Sequence, residues 1–281
     1  VVEIVDRYDD ACVPAEIPDQ DEANELRIGF IRDDRTDKTC IRNITVPRRM
    51  KSPIFVYYQL YNFYQNHRRY VRSKNEEQYT SPSAAHATAH CDPESVTPNG
   101  QPIVPCGLIA WSLFNDTYAL SINGAHLNIN KKGISWESDR RHKFSSHVYP
   151  NNFQSKTPIG GAKLDPHIPL SQQEDLQVWM RTAALPNFRK LYGRIETDLE
   201  ADNVIRVEIQ NNYNTYTFNG KKELVISTTT WIGGKNDFLG RVYIVVGGVS
   251  LLIAAAYIVM HIICPRPLGD PAYLSWNRNG G

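Results

Sequence analysis

The feature that most constrains this chain is an apolar run at residues 242–263. The run has 22 residues, carries no charge and is interrupted by only two polar side chains, Ser250 and His261. With a rise of about 1.5 Å per residue, a helix of this length crosses the hydrocarbon layer of a bilayer, which is roughly 30 Å thick. Apolar runs in buried core helices are usually shorter. The sequence therefore predicts a transmembrane helix rather than a core helix.

Small side chains lie along this predicted span, and they would let a neighbouring helix approach closely. The residues concerned are Gly247, Gly248, Ser250 and Ala254. Spans that pack against nothing also contain such residues, so the pattern leaves both interpretations open. We take these residues as a candidate contact with a membrane partner.

The large segment before the span has the features of a lumenal or extracellular domain. It contains four of the five cysteines, an even set that suits two disulfides in an oxidising compartment: Cys12, Cys40, Cys91 and Cys106. It also carries two glycosylation sequons, which begin at Asn43 and Asn115. The charges that flank the span are nearly balanced, so they do not decide its orientation.

These features divide the chain into three parts. Residues 1–236 are predicted to form an ectodomain, residues 237–264 the span with its flanks, and residues 265–281 a cytosolic tail. Because the sequence starts at Val1 with neither a Met nor a signal peptide, we expect an upstream segment, either a cleaved signal or a first transmembrane helix. The hydrophobic fraction of 41% supplies a core, and the net charge of +1 gives no reason to expect a nucleic-acid partner.

The pattern of the ectodomain indicates strands more than helices. Strands are predicted at residues 53–64, 117–122, 126–129, 203–210, 213–218 and 223–230, with hairpin turns at residues 123–124 and 219–220. A capping box at residues 171–174 predicts a helix over residues 175–185, and residues 187–195 are predicted to be a second helical piece. Residues 1–46 are predicted to be mostly irregular.

Catalytic and metal-binding patterns are weak. His86, His90 and Cys91 lie close together in sequence, but a structural zinc site needs four ligands, and a disulfide at Cys91 would remove its thiolate. The chain has no GxSxG, HExxH or paired CxxC motif, and the glycines of residues 233–240 lack the ending of a phosphate loop. We therefore expect no metal site and no catalytic residue, although scattered carboxylates leave a lumenal enzyme as an alternative.

A cationic stretch follows the first apolar strand. Residues 65–73 place Arg68, Arg69 and Arg72 among tyrosines. Such arginines can be structural, because they stack on aromatic rings and bind carbonyl groups, or they can bind phosphate. The sequence leaves both interpretations open.

Several long stretches resemble one family of membrane proteins. They are VYYQLYNFYQNHRRYVRS at residues 56–73, PCGLIAWSLFNDTY at 105–118, VWMRTAALPNFRKLYGRIE at 178–196 and STTTWIGGKNDFLG at 227–240. These motifs closely resemble the Cdc-fifty/Lem-three family, the accessory β-subunits of type IV P-type ATPases, which are phospholipid flippases. The two ends of the chain look most like the plant branch, the ALA-interacting subunits. The resemblance covers almost the whole chain.

The resemblance implies a β-rich ectodomain with an antiparallel, sandwich-like core and two transmembrane helices, the first of them upstream of this sequence. It also implies features at numbered positions: a disulfide between Cys91 and Cys106, another between Cys12 and Cys40, and glycosylated sequons at Asn43 and Asn115. N-linked glycans are therefore expected, and no cofactor is.

The function that the resemblance implies is not catalysis. The partner ATPase hydrolyses ATP and moves the lipid, while the subunit forms a heterodimer with it and supports its folding, its exit from the endoplasmic reticulum and its transport cycle. The complex is expected to be embedded in the lipid membrane of the endoplasmic reticulum, Golgi, endosome or plasma membrane. We expect partner contacts at Arg68, Arg69 and the small residues of the span. A single-span receptor or adhesion ectodomain, or a lumenal enzyme, stays as the alternative.

Overall fold

The computed structural model describes residues 1–14, 22–33, 35–230, 233–234, 237–265 and 269, with only the backbone at positions 22, 23 and 237. The chain divides into two units, Val1–Gly234 and Lys235–Gly281. The predicted cytosolic tail lies almost entirely outside the described residues, and so does the span that is expected upstream.

The first unit is built mainly from β-strands. The strands are β1 (Glu3–Arg7), β2 (Thr39–Thr45), β3 (Ile54–Tyr61), β4 (Thr117–Ile122), β5 (Ala125–Leu127), β6 (Ile129–Asn130), β7 (Phe188–Ile195), β8 (Val204–Gln210) and β9 (Lys221–Ser227). The helices are short: α1 (Glu22–Arg32), α2 (Arg68–Arg72), α3 (Glu77–Thr80), α4 (Leu108–Trp111) and α5 (Glu174–Met180). The second unit contains one long helix, α6 (Asp237–Ile263).

Two antiparallel sheets form the body of the first unit. One sheet has five strands in the order β1-β9-β3-β7-β6, and the other has four in the order β2-β8-β4-β5. Every second residue of β3 is buried, from Ile54 to Leu60, and the same holds for β8 from Ile205 to Ile209. The buried residues of both strands belong to one hydrophobic cluster, so the two sheets share a core. The antiparallel sandwich that the resemblance implies is confirmed.

The chain enters and leaves this sandwich at neighbouring strands. β1 pairs with β9 so that Glu3 lies opposite Ser227. One residue further out, the backbone N–H of Val2 donates to Thr228 Oγ1 and the N–H of Thr228 donates to the Val2 carbonyl, both at 2.9 Å. The pairing therefore continues to the point where the chain leaves the sheet for α6.

Most of the predicted strands are present. β3, β4, β8 and β9 overlap the residues predicted for them, and β4 and β5 form the expected hairpin. Both turn residues, Asn123 (φ 51°) and Gly124 (φ 81°), have the positive φ that a type I′ turn requires. The second predicted strand of this hairpin is divided, because Ile129 belongs to β6 in the other sheet.

The prediction of a helical piece at residues 187–195 is wrong. These residues form β7, which pairs with one edge of β3, while β9 occupies the other edge. A buried strand must satisfy its backbone N–H and C=O groups on both sides. Residues 188–195 are therefore extended because they pair with the edge of β3 that β9 leaves open.

The prediction of a strand at residues 213–218, with a hairpin turn into β9, is also wrong. The segment ends in a 3-10 turn at Tyr216–Phe218, after which Asn219 adopts the left-handed conformation. Two buried tyrosine hydroxyls explain this path, since Tyr213 donates to the Ser112 carbonyl at 2.9 Å and Tyr216 donates to the Asp9 carbonyl at 2.7 Å.

The capping box is not formed, and the predicted helix is shorter than expected. Ser171 lies in a separate 3-10 turn, and the Glu174 carboxylate accepts from the backbone N–H groups of Gly133 and Ser135 at 2.8 and 3.0 Å. At the other end, the buried Lys190 ammonium of β7 donates to carbonyls of Val178, Trp179 and Arg181. The Lys190 ammonium therefore caps the last carbonyl groups of α5, at the point where the helix ends.

The expectation that residues 1–46 are mostly irregular is wrong for the described residues of this segment, which leave out positions 15–21 and 34. They contain β1, α1 and β2, and both strands lie at sheet edges. A strand at an edge with one exposed face needs few apolar residues, so its alternation is weak in the sequence.

A buried ion pair connects the two sheets. Lys222 of β9 and Asp116, just before β4, have fully buried side chains, and Lys222 Nζ lies 2.7 Å from Asp116 Oδ2. The other two ammonium protons go to Asn211 Oδ1 and the Tyr213 carbonyl. All three donors of the lysine are therefore satisfied inside the core.

The aspartate of this pair is satisfied equally well. Asp116 Oδ1 accepts the backbone N–H groups of Asn212 and Tyr213, and Oδ2 accepts the Tyr8 hydroxyl at 2.7 Å. Burial lowers the pKa of Lys222, which the nearby carboxylate opposes, and burial together with Asp116 raises the pKa of Tyr8. The pair is costly to bury, so it requires every one of these partners.

We expect Lys222→Met to destabilise the ectodomain by about 3–5 kcal/mol, because it leaves the Asp116 charge buried without its partner. The measurement is urea unfolding of the full chain in detergent, followed by tryptophan fluorescence. Lys221→Met is the matched control, since the Lys221 side chain is exposed on the same strand. Equal unfolding midpoints for the two variants would contradict the assigned role of the pair.

Candidate interaction surfaces and glycosylation sites

The four cysteines of the ectodomain form two disulfides. Cys12 and Cys40 are joined with their Cα atoms 5.3 Å apart, and Cys91 and Cys106 with theirs 5.6 Å apart. The first disulfide ties the segment after β1 to the edge strand β2, and the second closes the loop before α4. Because Cys91 is oxidised, it offers no thiolate to a metal beside His86 and His90.

The cationic stretch forms the short helix α2, and its arginines point to solvent. Arg68 and Arg69 are exposed and have no ion pair or hydrogen bond to any side chain that the structure describes. The aromatic packing of this segment comes from Tyr70 instead, whose ring meets Phe63 edge-on and whose hydroxyl lies 2.7 Å from Ser112 Oγ. Among the described residues, Arg68 and Arg69 therefore neither stack on a ring nor pair with a side chain, and their role as partner contacts stays a prediction.

The C-terminal end of helix α2 packs tightly against the start of α4. Ser73, directly after it, is buried, and its Oγ accepts the backbone N–H of Leu108 at 2.8 Å. Gly107 packs so closely here that an added Cβ would lie 2.2 Å from the Ser73 carbonyl oxygen, and its φ of 98° also favours glycine. This contact fixes the end of α2 against the start of α4 and so holds the arginines in place.

Apolar side chains are exposed beside the arginines, a feature that the sequence did not reveal. Tyr64 and Leu185 are 57% and 69% exposed. They lie on two segments held side by side by hydrogen bonds from Phe63 N to the Pro186 carbonyl (3.0 Å) and from Asn66 Nδ2 to the Ala184 carbonyl (2.9 Å). We call Tyr64, Arg68, Arg69 and Leu185 the arginine surface. Exposed apolar groups mixed with arginines are typical of protein interfaces.

The small residues of the span do not all share one face. In a helix, successive residues are about 100° apart, so Gly247, Ser250 and Ala254 lie on one stripe while Gly248 lies beside it. The four candidate residues therefore form a stripe of three with Gly248 at its side, and their contact with a partner stays a prediction. Ser250 Oγ donates to the Val246 carbonyl at 2.9 Å, which satisfies the hydroxyl within the helix. An added Cβ at Gly247 meets no described atom within 4 Å.

Helix α6 is long and apolar enough to cross a membrane. Within the described residues, the stretch Phe238–Ile263 meets this condition, and none of its most apolar window is buried. Large apolar side chains such as Leu251, Leu252 and Ile262 are more than 70% exposed. By length and composition, such a helix suits the apolar interior of a membrane.

The two sequons differ in their surroundings. Asn43 lies on the exposed face of the edge strand β2, opposite Arg206 of β8. Asn115 is half-buried, and the next residue of its sequon is the buried Asp116. An attached glycan would therefore stand free at Asn43 but would begin next to the core at Asn115.

Lys190 is the buried group that an enzymatic interpretation would single out. Burial lowers its pKa to about 7, a shift that also occurs in catalytic lysines. Its ammonium is nevertheless occupied by the carbonyl groups of Val178, Trp179 and Arg181 at 2.5–3.0 Å. Lys190 thus stabilises the end of α5, and its ammonium has no position left for a substrate.

A disulfide-bonded antiparallel sandwich, together with an apolar helix of membrane length, defines a membrane protein with one folded domain outside its span. A family model described as the LEM3 (ligand-effect modulator 3) family / CDC50 family matches residues 1–267. The chain belongs to this family, as its motifs indicate.

Curated relatives agree with this membership. ALA-interacting subunit 3 of Arabidopsis thaliana is 60% identical over 281 residues, which are 100% of this chain and 78% of the relative. The phospholipid-transporting ATPase accessory subunit CDC50 of Chaetomium thermophilum is 34% identical, covering 90% of this chain and 67% of the relative. Cell cycle control protein 50A of Mus musculus is 36% identical, covering 80% and 69%.

Proposed function

We propose that this chain is the accessory subunit of a phospholipid-transporting P-type ATPase and has no catalytic activity of its own. The observation that carries the proposal is the full-length similarity to relatives whose names describe accessory or interacting subunits of such ATPases. The partner is the ATPase catalytic subunit, with which this chain forms a heterodimer in the membrane. ATP hydrolysis and lipid movement belong to that partner.

The proposed topology follows from the same family and from the chemistry of the chain. Residues 1–236 form a lumenal or extracellular ectodomain, residues 237–264 the span with its flanks, and residues 265–281 a cytosolic tail. Two disulfides in the ectodomain suit an oxidising compartment, which supports the lumenal placement. N-linked glycans at Asn43 and Asn115 complete the molecule, and no cofactor is needed. The complex resides in the membranes of the secretory pathway.

Such a subunit can act only through differential binding. If the ectodomain and span bind one conformation of the ATPase more tightly than another, they shift its population towards that conformation. The same binding energy stabilises the folded ATPase against its unfolded state. Support of folding, of exit from the endoplasmic reticulum and of the transport cycle are therefore three results of one physical effect.

Two surfaces are proposed as the contacts. The arginine surface offers two unpaired cations and two exposed apolar side chains, which suits an acidic or carbonyl-rich lumenal loop. The stripe of Gly247, Ser250 and Ala254 lets another helix approach α6 closely. Each surface is tested separately below, because they lie in different units of the chain.

The function itself is tested by purification from native membranes. Capture of this chain in mild detergent is expected to recover one large P-type ATPase in stoichiometric amount, identified by mass spectrometry. Recovery of a stable, correctly located chain without any ATPase would contradict the proposal.

Charge reversal tests the arginine surface. Arg68→Glu combined with Arg69→Glu is expected to reduce recovery of the ATPase about tenfold, which corresponds to about 1.4 kcal/mol of binding energy. The measurement is quantitative co-purification, with size-exclusion chromatography to verify that the variant chain remains folded.

Arg48→Glu combined with Arg206→Glu is the matched control, because both residues are exposed and the change in net charge is the same. If the control reduces recovery as much as the test variant, the effect comes from net charge alone. If the test variant misfolds by itself, the arginines have a structural role instead.

Steric substitution tests the span. Gly247→Leu is expected to reduce recovery of the ATPase about tenfold, because the larger side chain prevents close helix approach. Gly248→Leu is the matched control, since it adds the same side chain beside the stripe rather than on it. Unchanged recovery with Gly247→Leu would reject the stripe as the contact.

A further inference from the structure

A cavity of about 390 Å³ lies beside the second sequon. Asn115 lines it, together with residues of the segment before α5 and of β7. This volume falls within the range of roughly 300–1,000 Å³ that is typical of pockets for small molecules. The position of a sequon asparagine in the wall of a pocket needs an explanation.

The two ends of the Asn115 amide are in different situations. Its Oδ1 is buried and has no hydrogen-bond partner in the part of the chain that the structure describes. Its Nδ2, the atom that carries the sugar in an N-glycosylated protein, makes no hydrogen bond to the described residues either. Buried polar atoms are nearly always satisfied by protein or by water, so Oδ1 is an acceptor that a group inside the cavity can use.

The walls of the cavity combine apolar and polar groups, and a pyranose ring presents both kinds of surface. Apolar groups come from Ala162, Leu164 and Ile168, of which Ile168 is 37% exposed. Polar groups come from Lys163 and Gln172, whose side chains have no hydrogen-bond partner among the described residues. Sugars have apolar C–H faces edged by hydroxyl groups, so these walls can both pack against a ring and donate to it.

We infer that the cavity is the seat of the first N-acetylhexosamine of the glycan on Asn115, so that this sugar is part of the ectodomain core rather than a surface decoration. The inference rests on the lumenal placement proposed above. The occupant is attached to the chain itself, which keeps its effective concentration at the cavity high. Asn43 has no such seat, because it lies on the exposed face of β2.

The order of events follows from the same geometry. An enzyme that modifies an Asn-x-Thr sequon must reach all three residues, and the middle one here is Asp116. Its side chain is fully buried against Lys222 in the finished fold. The sugar is therefore added before the two sheets close, and the cavity then forms around it.

Enzymatic deglycosylation of the native full chain in detergent tests the seat. The protein is produced with high-mannose glycans, and peptide-N-glycosidase F, which cleaves the bond between asparagine and the first sugar, is applied before and after denaturation. The Asn115 glycan is expected to be released about tenfold or more slowly than the Asn43 glycan in the native protein, since cleavage must wait for local opening. After denaturation the two rates should be equal.

A substitution in the cavity wall separates an occupied seat from simple burial of the asparagine. Ala162→Leu fills part of the cavity with a larger side chain and is expected to displace the sugar. The enzyme should then release the Asn115 glycan as fast as the Asn43 glycan. Ala119→Leu is the control, because Ala119 is exposed on β4 and does not line the cavity. Release from the unsubstituted chain needs no variant, and equal release at the two sites would overturn the seat even if Ala162→Leu fails to fold.

The outcomes are distinct. Equal native release at both sites, a glycan at Asn43 but none at Asn115, or continued protection in a folded Ala162→Leu variant would each overturn the seat. If neither asparagine carries a glycan in cells that glycosylate secretory proteins, the lumenal placement fails as well. Slow release at Asn115 alone, abolished by Ala162→Leu and retained in Ala119→Leu, supports the inference.

Discussion

The ectodomain depends on the buried contact between Lys222 and Asp116, because this ion pair joins the two sheets inside the core. Removing two charges from water is expensive, and the cost is offset only when all donors and acceptors find partners. Here the lysine uses its three protons and the carboxylate uses both oxygens, with Tyr8, Asn211 and Tyr213 completing the set. A network that is satisfied in one arrangement only fixes the relative position of the sheets more sharply than apolar packing does.

The features that serve function are built outward from this centre. Asp116 immediately follows Asn115, so the geometry of the ion pair also sets the position of the second sequon and of the cavity beside it. Tyr213, which accepts from Lys222, donates its hydroxyl to the Ser112 carbonyl, and Ser112 Oγ in turn meets the Tyr70 hydroxyl of α2. A chain of hydrogen bonds thus runs from the core to the helix that carries Arg68 and Arg69.

The sequence revealed what depends on local pattern. The span, the strand at β3 and the hairpin turn at Asn123 and Gly124 each have a periodicity or turn chemistry of their own. The sequence did not predict β7, whose conformation is decided by the open edge of β3. It also did not predict that the segments carrying Tyr64 and Leu185, which are distant in the chain, lie side by side. The burial of Lys222 could have been anticipated, because it alternates with Leu224 and Ile226 on one face of β9.

The adjacency of β1 and β9 has a mechanical consequence. The chain enters the sandwich beside the place where it departs, with Val2 bonded to Thr228 at the sheet margin. Force that reaches the C-terminal end of β9 meets backbone hydrogen bonds to β1 on one side and to β3 on the other. β9 therefore cannot leave the sheet without breaking two rows of hydrogen bonds, so the sheet resists unfolding from this end more than it would if its last strand lay at an edge.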